Sequence, residues 1–186
     1  PDTQRLPFSR AVSSLGHMNA HKKERMLKTM EQPKVALFLI DGFEETEALA
    51  TVDILRRGQV KVITVSLGKD KWLQGRHEVI VQADAMFCDV LETSFDMLVI
   101  PGGTIAYTEH KGLLKLVQEY ANADKKLAAI CAAPAVFGKL GILSGKKAVC
   151  YPGMEDWLKG AIPANEIVVT DGNITTSKGP GTTVYF

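Results

Sequence analysis

From Lys34 onward the chain alternates between short apolar runs and amphipathic stretches. Residues 35–40 form an unbroken apolar run of strand length, and residues 60–66, 97–100 and 127–130 repeat the signal. Residues 44–57 read as a helix, because Ala48, Leu49, Val52 and Leu55 recur at three- and four-residue spacing and share one face. Gly58 then stands where a helix commonly stops. Residues 111–120 and 132–140 read as further helices, with a shorter one near 155–159. Residues 71–73 and 78–82 flank a Gln74-Gly75 turn as a hairpin. Strands are also expected at 148–151, 167–170 and 174–177, the last two joined by the turn Asp171-Gly172-Asn173. This alternation predicts an α/β sandwich of three layers, with a mostly parallel sheet covered on both faces. In such sheets, functional groups collect at the carboxyl ends of the strands, near a switch in strand order.

Residues 1–32 do not share the pattern. Arg5, Arg10, Lys22, Lys23, Arg25 and Lys28 face only Asp2, Glu24 and Glu31, and apolar periodicity is weak apart from a short helical stretch at 21–30. They are expected to be a basic, disordered tail, either a fusion or processing segment or a targeting peptide, ahead of one domain at 33–186. The remaining composition mainly excludes. A net charge of +1 gives no reason to expect nucleic acid or a membrane surface as partner. No apolar stretch reaches membrane-spanning length. Three cysteines with no close pair argue against a disulfide framework and for a reducing, cytoplasmic setting, with organellar targeting by the tail left open. No CxxC, CxxH or HExxH occurs, so a metal site has no support in the sequence.

Three strand ends carry unusual residues. The first run is followed by Asp41-Gly42-Phe43-Glu44-Glu45-Thr46-Glu47, the third by Pro101-Gly102-Gly103, and the fourth by Cys131-Ala132-Ala133-Pro134. An apolar strand that stops at a cysteine and turns into a helix has the outline of a nucleophile elbow, in which a helix N-terminus would ease thiol ionisation. A lone cysteine more often simply fills space. If the three strands are neighbours, however, one crevice collects a carboxylate, a glycine-lined backbone and a thiol. Glu44 and Glu45 read as first-turn capping acids. Glu47, one residue ahead of the apolar face, is placed to turn inward, and Glu47 and Cys131 are best treated as one unit sharing a proton. The Gly103 and Ala132 N–H groups are candidates for an oxyanion hole, with Gly102 beside them. Cys88 and Cys150 read as structural. Of four histidines none follows Cys131, and His110, which opens a helix, reads as a cap. Arg76 is a candidate for a substrate carboxylate or for a carboxylate across a subunit interface.

These three motifs, with Gly179-Pro180-Gly181-Thr182 near the end, resemble the ThiJ/PfpI superfamily, in the branch that includes the Parkinsonism-linked protein deglycase and its bacterial relatives. The resemblance runs from about Lys34 to Phe186. It implies a flavodoxin-like fold, a homodimer and no cofactor. Asp53, Arg56 and Arg57 are candidate dimer contacts. Cys131 would be the nucleophile, Glu47 its protonated partner, and Gly103 and Ala132 the oxyanion donors. It also implies small reactive aldehydes or glycated substrates, handled by a glutathione-independent glyoxalase or deglycase. The alternative is a sensor or chaperone acting through oxidation of Cys131. Two features depart from the family. Ala132 stands where the protease-like branch has histidine, which argues against peptidase activity, and Tyr151 stands where the animal deglycase has histidine. The family's usual C-terminal helix would lie beyond Phe186.

Overall fold

The computed structural model describes residues 32–186, and the expectations for residues 1–31 lie outside them. Seven strands make the main sheet: β1 (Lys34–Leu39), β2 (Lys61–Ser66), β5 (Ala85–Met86), β6 (Met97–Ile100), β7 (Lys126–Ile130), β10 (Val168–Asp171) and β11 (Ile174–Ser177). A hairpin, β3 (Trp72–Gln74) and β4 (Ile80–Gln82), and a short parallel pair, β8 (Lys147–Ala148) and β9 (Ile162–Pro163), stand beside it. The order across the sheet is β10-β11-β7-β6-β1-β2-β5. Every pairing in it is parallel except β10 with β11. The central order β2-β1-β6-β7-β11 is flavodoxin-like, with its switch point between β1 and β6.

The strands are apolar throughout because both faces are covered. In β1, Ala36 and Phe38 join one core cluster, whereas Val35, Leu37 and Leu39 join the other, as two-residue alternation requires. Helix α1 (Glu45–Arg57) brings Ala48 and Val52 to the second cluster. Helices α2 (Lys111–Asn122) and α3 (Pro134–Lys139) bring Leu113, Val117, Val136 and Phe137 to the first. Phe38, Leu37 and Phe137 are fully buried, and each contributes about 2 kcal/mol through removal from water. This is the expected three-layer sandwich.

Several elements are shorter than the pattern predicted. The strand expected at 148–151 is confined to Lys147–Ala148, and the helix expected at 155–159 is a single 3₁₀ turn, Glu155–Trp157. The helix after Cys131 starts at Pro134, because residues 131–133 are spent on the turn out of β7. Four 3₁₀ helices were outside the pattern's reach or only grazed by it; the last, Pro180–Tyr185, packs on α1 and carries Pro180 to the site.

Candidate functional site

β1, β6 and β7 are neighbours, so their carboxyl ends deliver the three unusual segments to one place. Cys131 leaves β7 with φ 64°, a left-handed conformation that non-glycine residues seldom hold. It is fastened on both sides: its N–H donates to the Ser177 carbonyl at 2.9 Å, and its carbonyl accepts from the Tyr151 N–H at 2.8 Å. β11 and the segment after β8 therefore hold the elbow that β7 alone would relax. Its side chain lies against Ile130, Ala132 and, at the edge, Met154 and Phe186.

Glu47 is fully buried in the first turn of α1. Its Oε2 accepts the Gly102 N–H at 2.6 Å, whereas Oε1 is buried without a hydrogen-bond partner among the described residues. Burial pushes this carboxyl up to about 7, against the Gly102 N–H and the Cys131 thiol, which favour the charged form. Burial, the Glu47 charge and the Glu47 hydrogen bond push the Cys131 thiol up to about 12, while the Gly103 and Ala132 N–H groups pull it down. The helix N-terminus was expected to make the thiol acidic. It does not prevail, because α3 has only six residues and starts three positions further on. Thiol and carboxyl form one coupled unit in which burial disfavours a charge on either group.

The Gly103 and Ala132 N–H groups lie where they favour a charged sulfur. Gly102 does not join them: its N–H is consumed by Glu47, so its part is to hold the carboxyl rather than to bind substrate. It must also be glycine, since a Cβ there would meet the Cys131 Cβ at 2.5 Å and Glu47 Oε2 at 2.8 Å. Arg76 is tied back within the chain, its Nη1 donating to the Gly103 carbonyl at 2.7 Å and its N–H to the Phe43 carbonyl at 2.8 Å. It still lines the cavity above Cys131, about 700 Å³ in volume, together with His77, Thr104, Tyr151, Met154 and Pro180. Tyr151 is half-exposed at its wall.

The acids of the first turn divide their work differently from the expectation. Glu44 caps α1, accepting the Glu47 N–H at 2.6 Å. Glu45 does not cap. It reaches across to the hairpin loop and accepts the His77 N–H at 2.6 Å, the His77 ring Nδ1 at 3.0 Å and the Val79 N–H at 3.4 Å. Burial works against the charged form of Glu45, but its backbone and His77 hydrogen bonds outweigh it and hold the carboxyl below its ordinary value. The pattern gave no hint of this pair, since His77 lies 32 residues away; only the Arg-His dipeptide after the Gln74-Gly75 turn marked the loop as polar. Glu44, Glu45 and His77 bring ligand-type atoms within 4.8 Å of one another. The Glu45 oxygens are already spent on His77 and Val79, and we assign no metal to the group.

His110 caps α2, its Nδ1 accepting the Leu113 N–H at 3.0 Å, and takes no part in the cavity. Cys88 is exposed and Cys150 is buried, the latter with its thiol pushed up to about 11 by burial and Glu155. Arg57 pairs with Asp53, and Arg56 with Asp84, each at 2.8 Å within the chain. Among the described residues, no helix is long and apolar enough to cross a membrane.

A strained cysteine at the end of a central strand, backed by a buried carboxyl and two backbone donors, defines a flavodoxin-like protein of the thiol-elbow class. Residues 33–186 match the DJ-1/PfpI family, and the chain belongs to it. The protein DJ-1 homolog B of Arabidopsis thaliana is 35% identical over 158 residues, which is 83% of this chain but only 36% of that protein's length. A deglycase of Pyrococcus abyssi is 28% identical over 152 residues, covering 80% of this chain and 91% of its own. Among solved structures, oxidized DJ-1 of Toxoplasma gondii superposes with a TM-score of 0.79 at 30% identity, covering 82% of this chain and 85% of its own.

Proposed function

We propose that this protein is a cofactor-independent enzyme that detoxifies 2-oxoaldehydes, or their early glycation adducts, through Cys131. The observation that carries the reading is the fully buried Glu47 carboxyl that interacts with the Cys131 thiol, with one of its oxygens, Oε1, lacking a hydrogen-bond partner among the described residues. A buried ionised oxygen with no donor is costly. Protonated, the carboxyl becomes a hydrogen-bond donor available to the thiol it interacts with. The one proton held by the pair then sits on Glu47, and Cys131 is the nucleophile.

With methylglyoxal, Sγ adds to the aldehyde carbon C1, and Gly103 and Ala132 N–H groups stabilise the oxygen as it becomes negative. The Glu47 proton passes to that oxygen, completing a hemithioacetal and leaving Glu47 as a carboxylate. The carboxylate removes the C1 hydrogen and returns it to C2, while the hydroxyl proton moves from O1 to O2. The product is a lactoyl thioester. Water hydrolyses it to lactate and the thiolate; of the two protons released, one restores Glu47 and the other leaves to solvent. No electrons leave the system, so neither glutathione nor a redox partner is consumed. Similarity to a protein named a deglycase supports the reaction class.

The decisive experiment is methylglyoxal consumption with lactate detection, without glutathione, in wild type and Cys131→Ser. Turnover that persists in the serine variant would sink the reading. A second reading, oxidation of Cys131 to a sulfinate for sensing, draws on the same two N–H donors and on a structural relative captured oxidized. Peroxide titration followed by mass of the Cys131 peptide distinguishes it when turnover is absent. We also propose a cytoplasmic homodimer: the three cysteines are free, and Leu49 and Ile54 lie exposed on α1. Sedimentation at micromolar concentration tests the dimer.

A further inference from the structure

His77 sits in the mouth of the Cys131 cavity, on the loop between β3 and β4. That loop is clamped over the site. Gly75 N–H donates to the Val79 carbonyl at 2.9 Å, Gly42 N–H to the Gln74 carbonyl at 2.8 Å, and Arg76 fastens to both Phe43 and Gly103. The imidazole is oriented as well as placed. A carboxylate only accepts, so the 3.0 Å contact to Glu45 Oε2 requires the proton on Nδ1. Nε2 is left with the open lone pair. An imidazole and a thiol thus line one cavity, and the buried Glu45 carboxylate holds the imidazole from behind, which is the arrangement of roles in a catalytic triad. The carboxylates near the ring are Glu45 and Glu44 from α1, with Arg76 and Glu78 as its charged neighbours on the loop.

The reaction above needs two proton paths, and Glu47 supplies one. It lies under the sulfur on the closed side of the site, where it can serve the carbon-bound hydrogen. The hydroxyl proton that moves from O1 to O2 belongs on the open side, which His77 lines. Resting on the aldehyde-isomerase reading, we propose that His77 is the second acid–base group of this site, its Nε2 taking the proton from the C1 oxygen and giving it to the C2 oxygen, with Glu45 as its positioning residue. The ring returns to its starting protonation state, so the step is balanced. Imidazole is the side chain able to give and take a proton near neutrality.

The test compares wild type, Cys131→Ser, His77→Asn and His77→Ala for conversion of methylglyoxal to lactate over about pH 5 to 9. Alkylation of Cys131 by iodoacetamide is measured in parallel. Both His77 variants keep the backbone N–H that Glu45 accepts, and the side chain is 68% exposed, so the fold is retained. His77→Asn should lower kcat by on the order of 100-fold and remove one ionisation from the kcat profile. Alkylation should stay within about twofold, and added imidazole should partly rescue His77→Ala. A kcat within about threefold of wild type overturns the role of His77 while leaving that of Cys131 standing. So does an equal loss of turnover and alkylation, which would mark a structural part. Wild-type turnover that is absent, or unchanged in Cys131→Ser, overturns the underlying reaction and the His77 role with it.

Discussion

The shared proton of Glu47 and Cys131 makes a quantitative statement about thiol reactivity. Burial lifts the Glu47 carboxyl to about 7 and the thiol to about 12, so between those values the pair holds one proton. If that proton rests on Oε1, the sulfur is a thiolate throughout the interval. The reactive fraction then follows a single ionisation near 7, about a tenth at pH 6 and about nine tenths at pH 8. Alkylation of Cys131 by iodoacetamide should rise about tenfold over that range and level off above it. An ordinary thiol would rise almost a hundredfold over the same range without levelling. Quantifying the modified Cys131 peptide by mass spectrometry separates this site from the exposed Cys88. In Glu47→Gln the amide keeps an acceptor for the Gly102 N–H but has no proton to share. The early plateau should vanish, and the rate should climb steadily into the alkaline range. A wild-type profile that climbs about a hundredfold without a plateau would place the proton on sulfur and refute the argument. A Glu47→Gln profile superimposable on wild type would do the same.

The remaining expectations concern stability and packing. Because folding raises the first ionisation of the Glu47–Cys131 pair from 4.5, the ordinary carboxyl value, to about 7, whichever group carries the remaining proton, the stability it contributes is fully present below the unfolded value and is lost as pH rises through the folded one. The loss amounts to about 3 kcal/mol. The Tm advantage of Glu47→Gln over wild type should therefore grow from about pH 4 to pH 8; an advantage independent of pH would contradict it. Gly102→Ala drives a methyl between Cys131 and Glu47; it should cost about 1–3 kcal/mol in urea unfolding and slow Cys131 alkylation. Leu37→Ala opens a cavity in a fully buried strand and should cost about 2–5 kcal/mol in the same assay, with little change in alkylation rate per folded molecule.

The layered sheet was legible because each of its central strands is apolar on both sides, a signal that survives without any knowledge of partners. Helix α1 was legible for the same reason, its stripe of Ala48 and Val52 being local to one element. The shortfall came where backbone pairing, not periodicity, decides. Residues 149–151 look like strand, yet their hydrogen bonds go to the elbow and to Thr176 Oγ1, not to a ladder. The convergence of Glu47, Gly103 and Cys131 was inferable from motif order alone, since a flavodoxin-like sheet sets β6 between β1 and β7.

What sequence could not distinguish was Glu44 from Glu45, because an acid in a first helical turn has the same local justification whether it caps or reaches away. The structure separates them by direction. Glu44 turns along α1 to the Glu47 N–H, and Glu45 turns outward to three donors on the loop of residues 75–79. The consequence reaches the chemistry. Gly75 leaves no room for a Cβ against the Glu45 side chain, so the loop approaches α1 more closely than any other residue there would permit. That approach sets His77 and Arg76 in the wall of the cavity that Cys131 lines. Three adjacent acids thus act in three directions: Glu44 fixes the start of the helix, Glu45 fixes the loop above the cavity, and Glu47 faces the sulfur below it. A substitution at Glu45 should consequently disturb the mouth of the site before it disturbs the helix. This is the reverse of what first-turn position alone implies.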